Sequence, residues 1–304
     1  MSIFNFLVSK TIMHVPGPIV KFFAKDYIAG KEAIDAVKES KKLNSKKMRT
    51  TIDILGESIS KEEEASIFKD SCMQLLDSIH QENLDSGHSL KATQLGLALE
   101  KELALKNIRE IVKKAKSLGI FVRLDMENSP YTTDTLEIYS KLQKEYKHSI
   151  GAVLQAYLRR TPKDIDSLDS DSLNIRLCKG IYDEKRKIAY KDTYIINRSF
   201  IYCLEKLFKK GAYIGIATHD EKLVFEALRL IKKYNLSKEQ YEFQMLLGVD
   251  EELREIILND GHNLRIYVPF GKDWLPYCKR RLKENPNIAR HSLRQMFGIH
   301  GHKW

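Results

Sequence analysis

Residues 213–234 read YIGIATHDEKLVFEALRLIKKY, and two periods meet inside them. The first eight residues, YIGIATHD, form an apolar, partly β-branched run that turns polar at its end, the pattern of a buried strand. The next fourteen carry Val224, Ala227, Leu228 and Ile231 at three- and four-residue spacing, which predicts an amphipathic helix over 221–234. A strand leading directly into a helix is half of a βαβ unit.

The same unit recurs along the chain. Strand-like runs lie at 48–56 (MRTTIDILG), 88–96 (HSLKATQLG), 120–127 (IFVRLDME), 150–158 (IGAVLQAYL), 173–180 (LNIRLCKG), 213–220, 241–248 (YEFQMLLG) and 264–271 (LRIYVPFG). Helical periodicity fills 61–80, 97–118, 132–147, 188–210, 221–234 and 250–260, while the short, polar segment 159–171 reads as a loop or a single turn. Gly119 and Gly211 sit at helix-stop positions just before strands. Strict alternation predicts parallel strands with helical crossovers. An open doubly wound sheet would alternate in the same way, but eight strands and the missing G-x-G-x-x-G favour a closed (βα)₈ TIM-type barrel.

Composition sets wider bounds. The 304 residues are 43% hydrophobic and 30% charged, an ordinary globular balance, with a net charge of +10. Lysines such as Lys113, Lys114 and Lys116 are scattered over amphipathic segments, as on a solvated surface. Cys72, Cys178, Cys203 and Cys278 form no C-x-x-C pair and no metal-ligand spacing, so no metal site is expected and the thiols fit a reducing compartment. The apolar stretch 1–20 is interrupted by Pro16 and Pro18 and is too short and broken to span a bilayer. It reads as a helix packed on the main domain, with a membrane-surface contact as the sharper alternative. The expected organisation is an N-terminal helical arm over 1–47, the barrel over 48–290 and a tail over 291–304.

In such barrels the chemistry sits at the C-terminal ends of the strands. The late residues of these runs are unusually polar: Lys91, Asp125, Glu127, Gln155, Arg176, Lys179, Thr218, His219, Gln244 and Tyr267. Each has an ordinary structural explanation. Asp220 fits a helix cap, His219 a hydrogen-bonded structural histidine, and Arg176 with Asp125 an ion pair. So many together, in strands that ought to be aliphatic, point to a functional rim. Its cations suit a carboxylate or phosphate ligand. Asp125 and Glu127 would serve as paired carboxylates only if their strand persists that far. A last helix is predicted from about Trp274 to Glu284. Arg280 and Arg281 point about 100° apart on it, and Glu284 lies four residues beyond Arg280. Its charges read equally as an exposed i,i+4 pair or as two guanidiniums gripping one carboxylate over the barrel mouth.

These residues resemble the signature runs of the proline dehydrogenases: RLCKGIYDE (176–184), IATHDE (216–221), YEFQMLLG (241–248) and RIYVPFGKDWLPYCKRRLKEN (265–285). Upstream runs, YIAGKEAIDAV (27–37), TIDILGE (51–57), SLKATQLG (89–96), VRLDMEN (122–128) and LQAYLRR (154–160), fit in the same order, so the resemblance covers about residues 15–290. It implies a distorted barrel with noncovalent FAD. L-proline is oxidised to Δ¹-pyrroline-5-carboxylate by hydride transfer to the flavin, and a quinone reoxidises the flavin. The chain's size resembles that of the short monofunctional bacterial enzymes rather than the fused proline utilisation A proteins. A separate pyrroline-5-carboxylate dehydrogenase and a cytoplasmic location, with peripheral contact at the inner face of the membrane, are then expected.

By motif, Arg280, Arg281 and Lys91 would hold the proline carboxylate. Tyr267, Tyr277 and Leu246 would line the ring pocket, Asp125 would orient the substrate-side network, and Glu284 would fix the arginines or Lys91. Gln155, Arg176, Lys179, Gly180, Thr218 and His219 would contact FAD, with Arg176 at its reactive edge. Lys91, Asp125 and Arg176 are thus the expected catalytic groups, and no dedicated base is assigned. Cys178, Ile181, Phe270 and Asp183 depart from the residues more usual in the family or fall where it varies. Two other readings compete: an aldolase-like barrel with Lys91 or Lys179 as a Schiff-base lysine, and a nucleic-acid binder motivated by charge. No nucleic-acid motif supports the latter, so nucleic acid is not an expected partner.

Overall fold

The expected alternation closes on itself. A computed structural model describes residues 15, 20, 25–56 and 59–284, with side chains through residue 279. The strands are β1 (Arg49–Ile54), β2 (Ser86–Lys91), β3 (Val122–Asp125), β4 (Ile150–Gln155), β5 (Asn174–Cys178), β6 (Tyr213–Ala217), β7 (Tyr241–Leu246) and β8 (Leu264–Phe270). They pair in sequence order as a closed parallel barrel, with β8 returning to β1 from Arg49↔Arg265 to Ile54↔Phe270. The described helices are α1 (Ala33–Ser45), α2 (Glu62–Gln81), α3 (Lys101–Ser117), α4 (Thr132–Tyr146), α5 (Thr161–Ser167), α6 (Thr193–Lys209), α7 (Glu221–Lys233), α8 (Glu251–Asn259) and α9 (Trp274–Glu284).

The side-chain period of two along each strand separates two environments. One set, including Ile52, Leu90, Leu124, Leu154, Leu177, Ile216 and Val268, joins Leu76, Ile108, Ile138, Leu204 and Leu230 of the helices in a continuous buried core. Each such side chain stabilises the fold by about 1.5–3 kcal/mol. The other set faces the barrel axis and is mostly polar. Asp192, Asp220 and Asp250 accept backbone N–H bonds at the starts of α6, α7 and α8, which fixes where three helices leave the rim.

Several boundaries differ from the sequence expectation. Strand β2 starts at Ser86 and ends at Lys91, and residues 92–95 coil into a 3₁₀ turn instead of continuing the strand. Segment 159–171, which reads in sequence as a loop or a single turn, contains the two-turn α5, with Pro162 in its first turn where a missing N–H costs nothing. The segment before β1 packs on the barrel through α1: Ala36 and Leu43 join the main core. Residues 1–14 and 285–304, which carry most of the apolar N-terminal stretch and the expected tail, lie outside the described residues.

One outward-facing group breaks the aliphatic pattern. His88 is fully buried, its Nδ1 donates to the Ile52 carbonyl at 2.9 Å, and its Nε2 has no partner. Burial brings its pKa down to about 4. The unfolded histidine therefore takes a proton between about pH 6.5 and 4 while the folded one does not, so stability falls as pH drops through that window. The expected loss is about 3 kcal/mol. Urea unfolding of wild type and His88→Leu at pH 7 and pH 4.5 measures it; equal pH dependence in both proteins would refute the assignment.

Candidate active site

The axis of the barrel holds charged side chains instead of stacked aliphatics, and it accommodates them by pairing. At the floor, Arg265 Nε donates to Glu242 Oε1 at 2.6 Å and its Nη1 to the Thr50 carbonyl at 2.7 Å. Arg123 donates to the Ala152 and Asn174 carbonyls at 3.0 Å and to Asn174 Oδ1 at 2.6 Å. Burial alone would raise the Glu242 pKa, but the Arg265 guanidinium brings it down to about 2.

Above the floor the network climbs toward the mouth. Gln244 Nε2 donates to Glu242 Oε1 at 2.6 Å, and Arg176 Nε donates to Gln244 Oε1 at 2.5 Å. Arg176 Nη1 reaches Asp125 Oδ1 at 2.7 Å, and Tyr267 donates its phenolic proton to Asp125 Oδ2 at 2.8 Å. Ser89 adds a 3.1 Å bond to the same carboxylate. The Arg176 guanidinium lies 5.2 Å over the Tyr267 ring. Burial, then Asp125 and Asp53, push the Tyr267 phenol well above its ordinary pKa, so it stays neutral and donates. Asp125 thus joins four strands, β2, β3, β5 and β8, and orients both Arg176 and Tyr267.

Lys91, at the end of β2, is gripped by both oxygens of Asp53 on β1, at 2.7 and 2.8 Å. Burial disfavours the ammonium, but Asp53 and then Asp125 outweigh it, and its pKa stands above the usual lysine value. A Schiff-base lysine needs the opposite shift, so this geometry removes Lys91 from the aldolase-like reading. Asp53 is only 1% exposed and was not among the expected site residues. Its signal was present in TIDIL, where an acid interrupts an apolar run.

The β4–β6 side gathers the other expected residues. Lys179 donates to Asp220 Oδ2 at 2.6 Å, and Asn197 donates to the same oxygen at 3.0 Å. Thr218 Oγ1 accepts from the Asp220 backbone N–H at 3.1 Å, and His219 Nε2 accepts from that of Leu246 at 2.8 Å. Asp220 is therefore the helix cap it was expected to be, and also the partner of Lys179. Gly180 has φ +108°, and a Cβ there would stand 2.1 Å from the Tyr157 ring. Only glycine combines that backbone with so close a ring. Gln155, at the end of β4, is buried with its Oε1 unpartnered.

Leu246 and Tyr277 meet in an apolar cluster with Val20, Tyr27, Leu55 and Trp274, which seats α9 on the β1, β7 and β8 side of the barrel. Helix α9 runs from Trp274 to Glu284 as expected. The side chains of Arg280, Arg281 and Glu284 lie outside the described residues. The possible pairing of Asp125 with Glu127 does not form. Strand β3 ends at Asp125, and Glu127 turns away to accept from Thr93 N and Oγ1 at 3.0 and 2.6 Å.

Compensated charges along a barrel axis, ending in a rim with lysine, arginine, phenol and amide groups, are the arrangement of a barrel enzyme with its site at the C-terminal ends of the strands. Residues 36–293 match the family model for proline dehydrogenase. Proline dehydrogenase 2 of Bacillus subtilis is 36% identical over 263 residues, 86% of each chain. The proline dehydrogenase of Deinococcus radiodurans is 32% identical over 88% of this chain and 87% of its own. Among solved structures, proline utilization A from Bdellovibrio bacteriovorus, inactivated by N-propargylglycine, superposes with a TM-score of 0.81 at 26% identity. That match covers 92% of this chain and 34% of the longer one. This chain belongs to the proline dehydrogenase family, and it is an oxidoreductase acting on proline, at the first step of proline catabolism.

Proposed function

We propose that the rim binds L-proline beside noncovalent FAD and releases Δ¹-pyrroline-5-carboxylate, with a quinone as the final oxidant. The observation carrying this reading is the network in which one carboxylate, Asp125, orients Arg176 on one side and Tyr267 on the other.

The residues present fit the cofactor. Arg176 and Lys179 supply positive charge, Thr218 a hydroxyl, Gln155 an unpartnered buried oxygen, and Gly180 a stretch of backbone free of any Cβ. These groups, with His219, would hold FAD along the ends of β4 to β6. When bound, FAD supplies the hydride acceptor. Lys91, kept charged by Asp53, would attract the substrate carboxylate, and Arg280 and Arg281 would complete the clamp. Tyr267, Tyr277 and Leu246 enclose the ring, which fixes the reacting carbon in register and excludes water. Glu284 would fix the arginines or Lys91. Asp125 holds Arg176 and Tyr267 in place for both ligands.

No described helix is long and apolar enough to cross a membrane. Independently of that, the proposed reaction calls for a lipid-soluble quinone met by peripheral contact at the inner face of the membrane, and for a separate dehydrogenase that consumes the cyclic imine.

Incubation with L-proline, FAD and a soluble quinone analogue should yield a cyclic imine that o-aminobenzaldehyde traps. Arg280→Met or Arg281→Met should raise the proline KM about a hundredfold, the worth of a charge-assisted carboxylate bond, while FAD stays bound. Failure to form imine with any acceptor would contradict the reaction. Unchanged KM in both variants would contradict the clamp.

A further inference from the structure

Behind Arg176 lies a pair of residues to which neither a substrate nor a cofactor role was assigned, although Gln244 was read as part of the polar rim. Glu242 and Gln244 occupy successive axial positions of β7, and both are buried. A glutamine amide can present either its oxygen or its nitrogen in a given direction, and shape alone does not choose between them. Packing is not what decides here: a cavity of about 160 Å³ borders Gln244, Glu242, Thr51 and Arg123. Charge decides instead. Glu242 is ionised and can only accept, and its Oε1 takes hydrogen bonds from Gln244 Nε2 and Arg265 Nε, each at 2.6 Å. The Gln244 nitrogen is thereby drawn to the floor and the oxygen is turned upward, where it accepts from Arg176 Nε at 2.5 Å. The opposite orientation would set the amide N–H₂ against the guanidinium and the amide oxygen against a carboxylate, two repulsive contacts.

The neighbouring strand makes room for this arrangement. A Cβ at Gly215 on β6 would fall 2.3 Å from Gln244 Nε2. Arg176 is then held at two of its nitrogens, by Gln244 on one side and by Asp125, with Ser89, on the other. Two acceptors at different nitrogens of a planar guanidinium fix its plane as well as its position.

We propose that Glu242 and Gln244 are positioning residues for Arg176: Glu242 sets the orientation of the Gln244 amide, and the Gln244 oxygen sets the plane in which the guanidinium meets the flavin. This rests on the reading of Arg176 as a flavin contact. The floor of the barrel thereby takes part in tuning the cofactor, although no floor residue reaches the mouth.

The test is a double-mutant cycle on FAD-loaded protein with Glu242→Gln, Gln244→Met and the double variant, beside Arg176→Met. Three quantities are read: the midpoint potential of the bound flavin, the rate of its anaerobic reduction by L-proline, and the L-proline Kd. Each single variant should lower the potential and slow reduction about tenfold, a fraction of the loss expected for an ångström-scale misplacement, with the proline Kd within twofold of wild type. The double variant should be no worse than Gln244→Met in potential and rate, although its thermal stability falls further because Arg265 loses the carboxylate charge opposite it. Gln244→Met leaves the Glu242–Arg265 pair in place and gives the readout even if Glu242→Gln folds poorly. Wild-type potential and rate in Gln244→Met, or a further tenfold loss in the double variant, would overturn the proposal. If Arg176→Met itself leaves the potential unchanged, the flavin contact of Arg176 is what fails.

Discussion

Asp125→Ala should reduce proline kcat/KM at least a hundredfold and destabilise the fold by about 3–5 kcal/mol, the usual cost of stranding one member of a buried ion pair. Arg176 and Tyr267 both aim at this carboxylate, one at each oxygen, and Ser89 adds a third bond. The Arg176 side chain is 9% exposed, so water cannot replace the lost charge. Without Asp125 the guanidinium turns toward solvent or toward Tyr267, and the groups expected to face flavin and proline lose their register together. Asp125→Asn should fall between the two. Its oxygen still accepts from Arg176, but its amide nitrogen faces the phenol that Asp125 accepts from. Steady-state kinetics with thermal melts check both variants. Activity within threefold of wild type in Asp125→Ala would mean that the network is structural only.

The second large effect is expected at Lys91, where stability and binding can be separated. Lys91→Met should raise the proline KM about a hundredfold, since a charge-assisted bond to the substrate carboxylate contributes about 1.5–3 kcal/mol. It should also destabilise the protein, because Asp53 is left as a buried carboxylate with no cation in contact. Adding Asp53→Asn removes that stranded charge. The double variant Asp53→Asn/Lys91→Met should therefore regain much of the lost stability while its KM stays high. Recovery of KM together with stability would show that Lys91 supports the fold and does not bind substrate.

How much of this was readable beforehand follows from what a sequence can encode locally. Eight strands and the order of helices were legible because the outward set, such as Ile214 and Ile216, and the stripe Val224–Ala227–Ile231 carry their own periods. The rim was legible because Lys91, Asp125, Arg176 and Tyr267 are polar where a strand should be aliphatic. What was not legible is who pairs with whom. Asp53 meets Lys91, and Arg176 meets Gln244, only because β1 lies beside β2 and the axis brings β5 to β7. In sequence Asp53 and Glu242 are single acids inside apolar runs, and only barrel closure places Lys91 and Arg265 against them. Glu127 stayed ambiguous for a related reason: two residues past Asp125 it would share a face in a strand, yet the chain has already left the sheet. The two turns of α5 were missed because a polar seven-residue segment offers too little period to count.

L-proline should reduce a flavin held in this barrel mouth. The most direct measurement is the absorption spectrum of the FAD-loaded protein before and after anaerobic addition of proline. The flavin band should bleach with L-proline and persist with D-proline. A bound flavin that L-proline leaves unbleached, or a protein that takes up no FAD, would contradict it.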